Sequence, residues 1–181
     1  MRQRLKIVLP IGMLLLIAVA ILSSWSIWQL REAIRYERQS YAVQSNVDDL
    51  FELVQGAESS QRGYLITGKD EYLNTYLNSF PQIPAAYAKL KRSVRGLPLK
   101  ENQIAELDEL LNKKLEELKL TVILQQSEKE DDALALMQTD KGESLMINLH
   151  EALDSIDKLA ARDAQIHESF VRRYGTLLIF A

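Results

Sequence analysis

The sequence contains no cysteine and few of the residues that favour turns. Without cysteine the chain cannot form a disulfide, a zinc–thiolate site or a thiol nucleophile. Its 181 residues include only seven glycines and four prolines, whereas a strand-rich fold needs a turn about every eight to twelve residues. The scarcity of turn residues therefore predicts a small number of long helices.

The segment between residues 29 and 173 lacks an excess of basic residues. It holds all 25 acidic residues but only 19 of the 22 lysines and arginines, which gives it a net charge of −6. Proteins that bind nucleic acids present a basic patch or stripe instead. We therefore expect no nucleic acid among the partners.

One long stretch of the sequence has no charge at all. The 22 residues from Ile7 to Trp28 are uncharged, and as a helix they would extend about 33 Å, enough to cross a hydrocarbon core of about 30 Å. Residues typical of membrane interfaces flank this stretch, namely Arg2, Arg4 and Lys6 before it and Trp25 and Trp28 at its far end. The positive-inside rule and the aromatic belt then predict a cytoplasmic N-terminus.

These features predict membrane lipid as a partner and a location in the cell (inner) membrane. We assign residues 1–6 to a cytoplasmic N-terminus, 7–28 to a first transmembrane helix and 29–173 to a periplasmic or extracellular domain. A cleaved signal peptide is the alternative, but the apolar stretch is long for one and no A-x-A-like cleavage site follows it.

The C-terminal residues resemble the beginning of a second membrane helix. After Arg172, Arg173 and Tyr174 the sequence reads GTLLIFA, which is too short to span a bilayer. We interpret residues 174–181 as the start of a truncated transmembrane helix. Arg172, Arg173 and Tyr174 would anchor it at the interface, where the arginine side chains can snorkel.

Regular apolar spacing indicates four amphipathic helices between the membrane segments. Each helix has a seam that steps by about three and four residues, the spacing of helices that pack on neighbours. The seams comprise Val43, Val47, Leu50, Val54, Ala57, Gln61 and Tyr64; Leu73, Tyr76, Phe80, Ile83, Tyr87, Leu90, Val94 and Leu97; Ile104, Leu107, Leu111, Leu115, Leu118 and Val122; and Leu145, Leu149, Ala152, Ile156, Leu159, Ile166 and Phe170. With short connections they predict an all-α, membrane-anchored, up-down-up-down four-helix bundle.

Helix-breaking residues predict where these helices bend or end. Gly68 after Thr67 supplies a C-terminal stop for the first helix, which is otherwise expected to continue unbroken from the membrane segment. Pro81 and Pro84 predict a kink or short break that leaves the phase of the second seam intact. Ser127 and Glu130 form an S-x-x-E pattern, which predicts a capping box and a helix restart.

The sequence offers no support for a catalytic, cofactor or metal site. The only histidines, His150 and His167, lack the glutamate three residues earlier that di-iron bundles use. Met146 and His150 are one helical turn apart and could in principle ligate haem, but we interpret them as ordinary surface or rim residues. We therefore expect no catalytic residue, no cofactor and no metal ligand in this chain.

Polar residues interrupt the first seam near its end. The candidate signal-sensing or packing motif is Glu58, Gln61, Arg62, Gly63, Tyr64 and Gly68. A glycine inside a helix costs about 1 kcal/mol relative to alanine, and a buried amide such as that of Gln61 needs hydrogen-bond partners. Glu58 precedes Arg62 by four residues, a favourable order for an ion pair. Gly63 either admits a neighbouring helix, or the motif forms a polar pocket in which Arg62 meets an anionic ligand.

The same stretch closely resembles a known family signature. ESSQRGYLITG at Glu58–Gly68, followed by DEYL at Asp70–Leu73, is similar to the signature of the third type of CHASE domain, an extracytoplasmic sensory module. LEEL at 115–118, ALALM at 133–137 and KGESLM at 141–146 also resemble that domain, so the likeness covers roughly residues 35–165. The commonest pattern has glycine before Gln61, whereas this chain has Ser60, a change that relaxes close packing there.

The resemblance implies a helical sensor between two membrane segments, usually feeding a histidine kinase. It also implies a homodimer, because the family's usual output enzymes are dimeric, and a stimulus that is an unidentified small ligand or an envelope protein. We expect the chain itself to be no enzyme, with a two-component histidine kinase as its output. The sensory domain of a chemoreceptor or of a diguanylate cyclase is an alternative, as is a membrane-tethered scaffold without a ligand.

Overall fold

A computed structural model describes residues 2–179, and the side chains of residues 10–100 and 102–169. Over the described residues the chain consists of helices joined by turns, and no strand is present between residues 2 and 179. The predicted all-α class is confirmed.

The first helix, α1, is a single helix from Arg2–Thr67. It continues without a break from the apolar N-terminal stretch into the first seam, as the lack of breaking residues predicts. Among the described helices, this one has an apolar stretch long enough to cross a membrane, and that stretch is not buried by the rest of the described chain. α1 ends where predicted, because Gly68 has φ of 63° and its N–H donates to the Tyr64 carbonyl at 2.8 Å.

The second seam is divided between two helices. α2 covers Asp70–Ser79 and α3 covers Ile83–Ser93, with a 3₁₀ turn at Phe80–Gln82 between them. Pro81 and Pro84 each lie in a first turn, where a missing N–H costs no hydrogen bond. The predicted short break is confirmed, and the seam stays in phase across it, with Tyr76, Ile83 and Tyr87 all buried.

The remaining helices are α4 at Glu101–Gln126, α5 at Glu130–Met137 and α6 at Lys141–Ile179. The predicted break between α4 and α5 is confirmed, but the predicted capping box is wrong. Lys129 holds the N-cap position of α5 without a side-chain cap, and Ser127 instead terminates α4. Glu128 between them has φ of 61°, so the chain turns too sharply for the Ser127 hydroxyl to cap the next helix.

The chain divides into two compact units, one made of Gln39–Asp163 and the other of the segments up to Arg38 and from Ala164. In the Gln39–Asp163 unit, residues of α1, α2, α3, α4 and α6 form one hydrophobic cluster. Its most buried members include Leu50, Val54, Ile83, Leu90, Leu107, Leu118, Leu149, Leu153 and Ile156. With α2 and α3 counted together as the second seam, four helical segments share this core, as a four-helix bundle requires, while their up-down order stays a prediction.

Residues predicted to lie near the membrane at the two ends of the chain are either exposed or outside the described side chains. Ile166, assigned to the fourth seam, is 65% exposed, so that seam does not continue to this position. Trp25 and Trp28 are exposed on α1, and their role as interface anchors stays a prediction. The side chains of Arg2, Arg4, Lys6, Arg172, Arg173 and Tyr174 lie outside the described residues, as do residues 180–181 of the predicted second membrane helix.

Candidate functional site

The six motif residues lie in the last turns of α1 and just beyond its end, within the Gln39–Asp163 unit. Glu58 and Gln61 are buried, Gly63 and Tyr64 are half-buried, and Arg62 and Gly68 are exposed. The helix therefore turns a glutamate and an amide toward the core and keeps the arginine at its rim.

A buried lysine on α4 meets the first of these residues. Lys114 is 0% exposed, and its Nζ lies 3.0 Å from Glu58 Oε1 and 2.9 Å from Glu117 Oε2. The same ammonium group donates to the backbone carbonyl of Gly142 at 3.2 Å. One side chain thus contacts α1, its own helix α4 and the first turn of α6.

We call Glu58, Arg62, Lys114 and Glu117 the charge network. Arg62 also pairs with Glu58, with Nη2 3.0 Å from Glu58 Oε1. Glu58 therefore contacts both cations, and Glu117 contacts Lys114. Burying a lysine and two glutamates costs several kcal/mol per ion, and attraction within the network offsets that cost only if every partner is present. The presence of the network is therefore weak evidence for a gain in stability.

Lys114 is absent from the predicted third seam, although the spacing of α4 contains a signal for it. On α4 the buried residues Leu107, Leu111, Lys114, Leu118 and Thr121 step by four, three, four and three, and Glu117 and Val122 are buried beside them. The predicted seam contains Leu115 at this step, because leucine is an ordinary residue in a helix seam and lysine is not, but Leu115 is only half-buried. The position of Lys114 in phase with Leu111 and Leu118 is the feature of the sequence that indicates its burial.

A second polar contact joins α1 and α4. Gln61 is 1% exposed, and its Nε2 donates to Thr121 Oγ1 at 2.6 Å. The Thr121 hydroxyl in turn lies 3.1 Å from the Glu117 carbonyl and 3.0 Å from the Leu118 carbonyl. The expectation that a buried amide on the seam finds a hydrogen-bond partner is confirmed.

Gly63 has a steric reason to be glycine. A Cβ added there would lie 2.5–2.8 Å from ring atoms of Tyr72 on α2, closer than real Cβ atoms approach. The steric conflict is smaller at Gly142, where an added Cβ would lie 3.2–3.3 Å from atoms of the Glu117 carboxylate. The geometry supports the packing interpretation of Gly63, in which the glycine admits a neighbouring helix.

A buried tyrosine of α2 lies near the carboxylate of Glu117. Burial, and secondarily the nearby carboxylate of Glu117, raise the pKa of Tyr76 to about 12, so this phenol stays neutral at physiological pH. Among the described residues, no group of three or more His, Asp or Glu side chains is placed to hold a metal ion. The arrangement is chemically suited to holding helices in register.

The two histidines lie in different units and against different aromatic rings. The His150 ring is 4.7 Å from that of Phe51 in the Gln39–Asp163 unit. In the other unit, His167 stacks on Tyr36 with ring centroids 3.6 Å apart and an interplanar angle of 6°.

The described residues thus form an all-α domain in which a buried charge network joins α1, α4 and α6. The family model described as the CHASE3 domain matches residues 33–168, and the chain therefore belongs to the CHASE3 family. CHASE3 is an extracytoplasmic sensory domain of signalling receptors, which supports a sensory input role. No curated protein matches the chain.

Proposed function

We propose that this chain is the sensory and membrane-anchoring part of a two-component sensor histidine kinase. Family membership over residues 33–168 carries the sensory role. The long apolar helix at the N-terminus supports an anchor in the inner membrane, with residues 29–173 on its outer side. In this proposal the chain is a homodimer and catalysis belongs to a cytoplasmic output domain.

The charge network suggests how a stimulus is relayed. Glu58 lies on α1, and the Gly142 carbonyl belongs to α6. Both of these helices include residues of both compact units. A change that weakens the contact of Lys114 with Glu58 or Gly142 would therefore alter how α1 or α6 is held. These are the two helices that continue beyond the Gln39–Asp163 unit.

Such a relay needs two packings of similar free energy. A buried ion pair has few alternative geometries, so helices joined by it shift between discrete arrangements instead of deforming gradually. A stimulus that binds one packing better by a few kcal/mol would redistribute the population and move α1 against α6 by a shift or a rotation.

The experiment is a phosphorylation assay on the whole receptor in membranes. Lys114→Met should change basal autophosphorylation several-fold in either direction, because it removes the ammonium group that contacts α1, α4 and α6. Lys113→Met is the matched control, since the Lys113 side chain is 52% exposed and its ion pair within the described part of the chain is with Glu109. Equal output from both variants in a folded, membrane-inserted receptor would refute the relay.

The residues encoded after Ala181 test the class of output directly. A histidine kinase predicts a phosphoacceptor histidine on a helix, followed by glycine-rich ATP-binding motifs. A chemoreceptor predicts a long helical hairpin, and a diguanylate cyclase predicts its own catalytic signature. A scaffold would keep its activity when those residues are removed.

A further inference from the structure

A second feature of the molecule is the contact between α1 and α6 outside the Gln39–Asp163 unit. The other compact unit consists of the segments up to Arg38 and from Ala164, and it contains parts of both helices. We call it the terminal unit. α1 and α6 are also the two helices that Lys114 links to α4. In the proposed function, a shift of one helix against the other reaches the membrane through the terminal unit.

An aromatic pair joins the two helices in the terminal unit. The ring of Tyr36 on α1 and the ring of His167 on α6 have centroids 3.6 Å apart and planes inclined by 6°. Aromatic side chains more often pair in offset or edge-to-face arrangements, with centroids about 4.5–7 Å apart. At 3.6 Å the two rings lie face to face at van der Waals distance, so no atom fits between them.

Tyr36 is also in contact with its own helix. The guanidinium carbon of Arg35 lies 5.4 Å from the centroid of the Tyr36 ring, within range of a cation–π interaction, and the same guanidinium group pairs with Glu32. Tyr36 and His167 are both half-buried. Because the Tyr36 ring has contacts on α1 and on α6, it is restrained by both helices, and the pair sets their separation at this point.

The face-to-face geometry restricts how α1 and α6 can move. Dispersion attraction weakens steeply with distance, and a gap of about 0.5–1 Å forfeits about a quarter to a half of it. Helix shifts in allosteric transitions are about 1–2 Å, so a shift that separates the rings loses much of the contact. A shift that slides one ring over the other instead produces an offset stack, which is a favourable arrangement. The pair therefore opposes separation of the helices and permits sliding.

We propose that Tyr36 and His167 form an aromatic clasp that couples α1 to α6 and confines their relayed movement to one in which the rings stay in contact. The two side chains act as positioning residues for signal transmission. Loss of either ring allows the helices to separate and so shifts the balance between the two packings of the receptor. The inference rests on the proposed function and names the contact through which its relayed movement passes.

The first test is autophosphorylation of the whole receptor in membranes. His167→Ala and Tyr36→Ala should each change basal output about two- to tenfold and in the same direction, because loss of one aromatic pair shifts a two-state equilibrium by this amount. The double variant should change output no further, because both substitutions remove the same contact. His167→Phe keeps a ring and should retain the parent output. Ile166→Ala is the matched control, since Ile166 is the neighbouring residue and is 65% exposed, and it should leave output unchanged.

The second test is unfolding of the full chain in detergent micelles, which does not depend on the output domain. In a double-mutant cycle the effects of Tyr36→Ala and His167→Ala should be non-additive, because the two rings contact each other. The effects of Tyr36→Ala and Ile166→Ala should add, which makes this second pair the control for the cycle.

Three outcomes would overturn the clasp. The first is additive unfolding effects of Tyr36→Ala and His167→Ala. The second is parent-like output from folded His167→Ala, and the third is equal output from His167→Phe and His167→Ala when both differ from the parent. An effect of Lys114→Met on output without an effect of the alanine variants overturns the clasp alone, whereas the reverse result overturns the relay through Lys114 alone, so the two failures are distinguishable.

Discussion

Replacing Lys114 by methionine removes the central cation of the charge network while keeping the length and most of the volume of the side chain. At 3.0 and 2.9 Å, each pair contributes an attraction of about 5 kcal/mol at an effective dielectric constant of about 20. Desolvation of three ions and repulsion between the two carboxylates offset much of this attraction.

The net loss is set by what the substitution leaves behind. Glu58 keeps Arg62 at 3.0 Å, whereas Glu117 loses its ion-pair partner and is only 8% exposed. Breaking a buried pair by removing one partner costs about 3–5 kcal/mol. Since one of the two carboxylates stays paired, we expect Lys114→Met to lower the free energy of unfolding by about 3 kcal/mol, a large share of the roughly 5–15 kcal/mol of a typical domain.

The measurement is denaturant or thermal unfolding of the full chain in detergent, followed by far-ultraviolet circular dichroism. Lys113→Met, one residue earlier on α4, removes an exposed pair and should cost less than about 0.5 kcal/mol. Adding Glu58→Gln and Glu117→Gln to Lys114→Met should recover most of the loss, because no buried charge is then left unpaired. A Lys114→Met effect no larger than that of Lys113→Met would refute the account of the network.

Two further predictions concern single positions. Gly63→Ala should destabilise the chain by about 1–3 kcal/mol, because Tyr72 must move, whereas Gly56→Ala on the same helix should stabilise it by about 0.5–1 kcal/mol; unfolding curves with effects of the same sign would contradict this steric explanation. Burial, then the carboxylates of Asp48 and Asp154, raise the pKa of Asp157 above its ordinary 3.8, so the folded state retains this proton more strongly than the unfolded state. Stability from this group is present below pH 3.8 and is lost as pH rises through the higher folded pKa. Asp157→Asn should therefore flatten that decline, and an unchanged pH profile of unfolding would be evidence against the interpretation.

The closest agreement between sequence and structure lies in the helices of the first two seams. Repeated apolar residues at three- and four-residue steps define a helical face whatever the tertiary arrangement, which is why Leu50, Val54 and Ile83 are buried as expected. Glycine and proline act on their own backbone, so the stop at Gly68 and the break near Pro81 were equally predictable. The capping box at Ser127 failed because a single residue with positive φ, Glu128, redirects the chain.

The candidate site was only partly predictable. Glu58, Gln61 and Gly63 stood out because each is unusual at its position within one helix. Their partners Lys114, Thr121 and Tyr72 lie on other helices, and each of them has an ordinary explanation on its own element. A lysine in a seam also contradicts the expectation that charges stay in water, and the burial of Lys114 is offset by two carboxylates and the Gly142 carbonyl.

The sequence by itself determined the helical class, the apolar N-terminal helix and the family, since all of these depend on residues that are near one another along the chain. Tertiary structure alone decided that Lys114 bridges α1, α4 and α6, and that Gly63 faces a ring while Gly56 faces open space. The physical reason is that the free energy of a buried charge or of a missing side chain depends on what the other helices bring to it. That quantity is not encoded in local spacing.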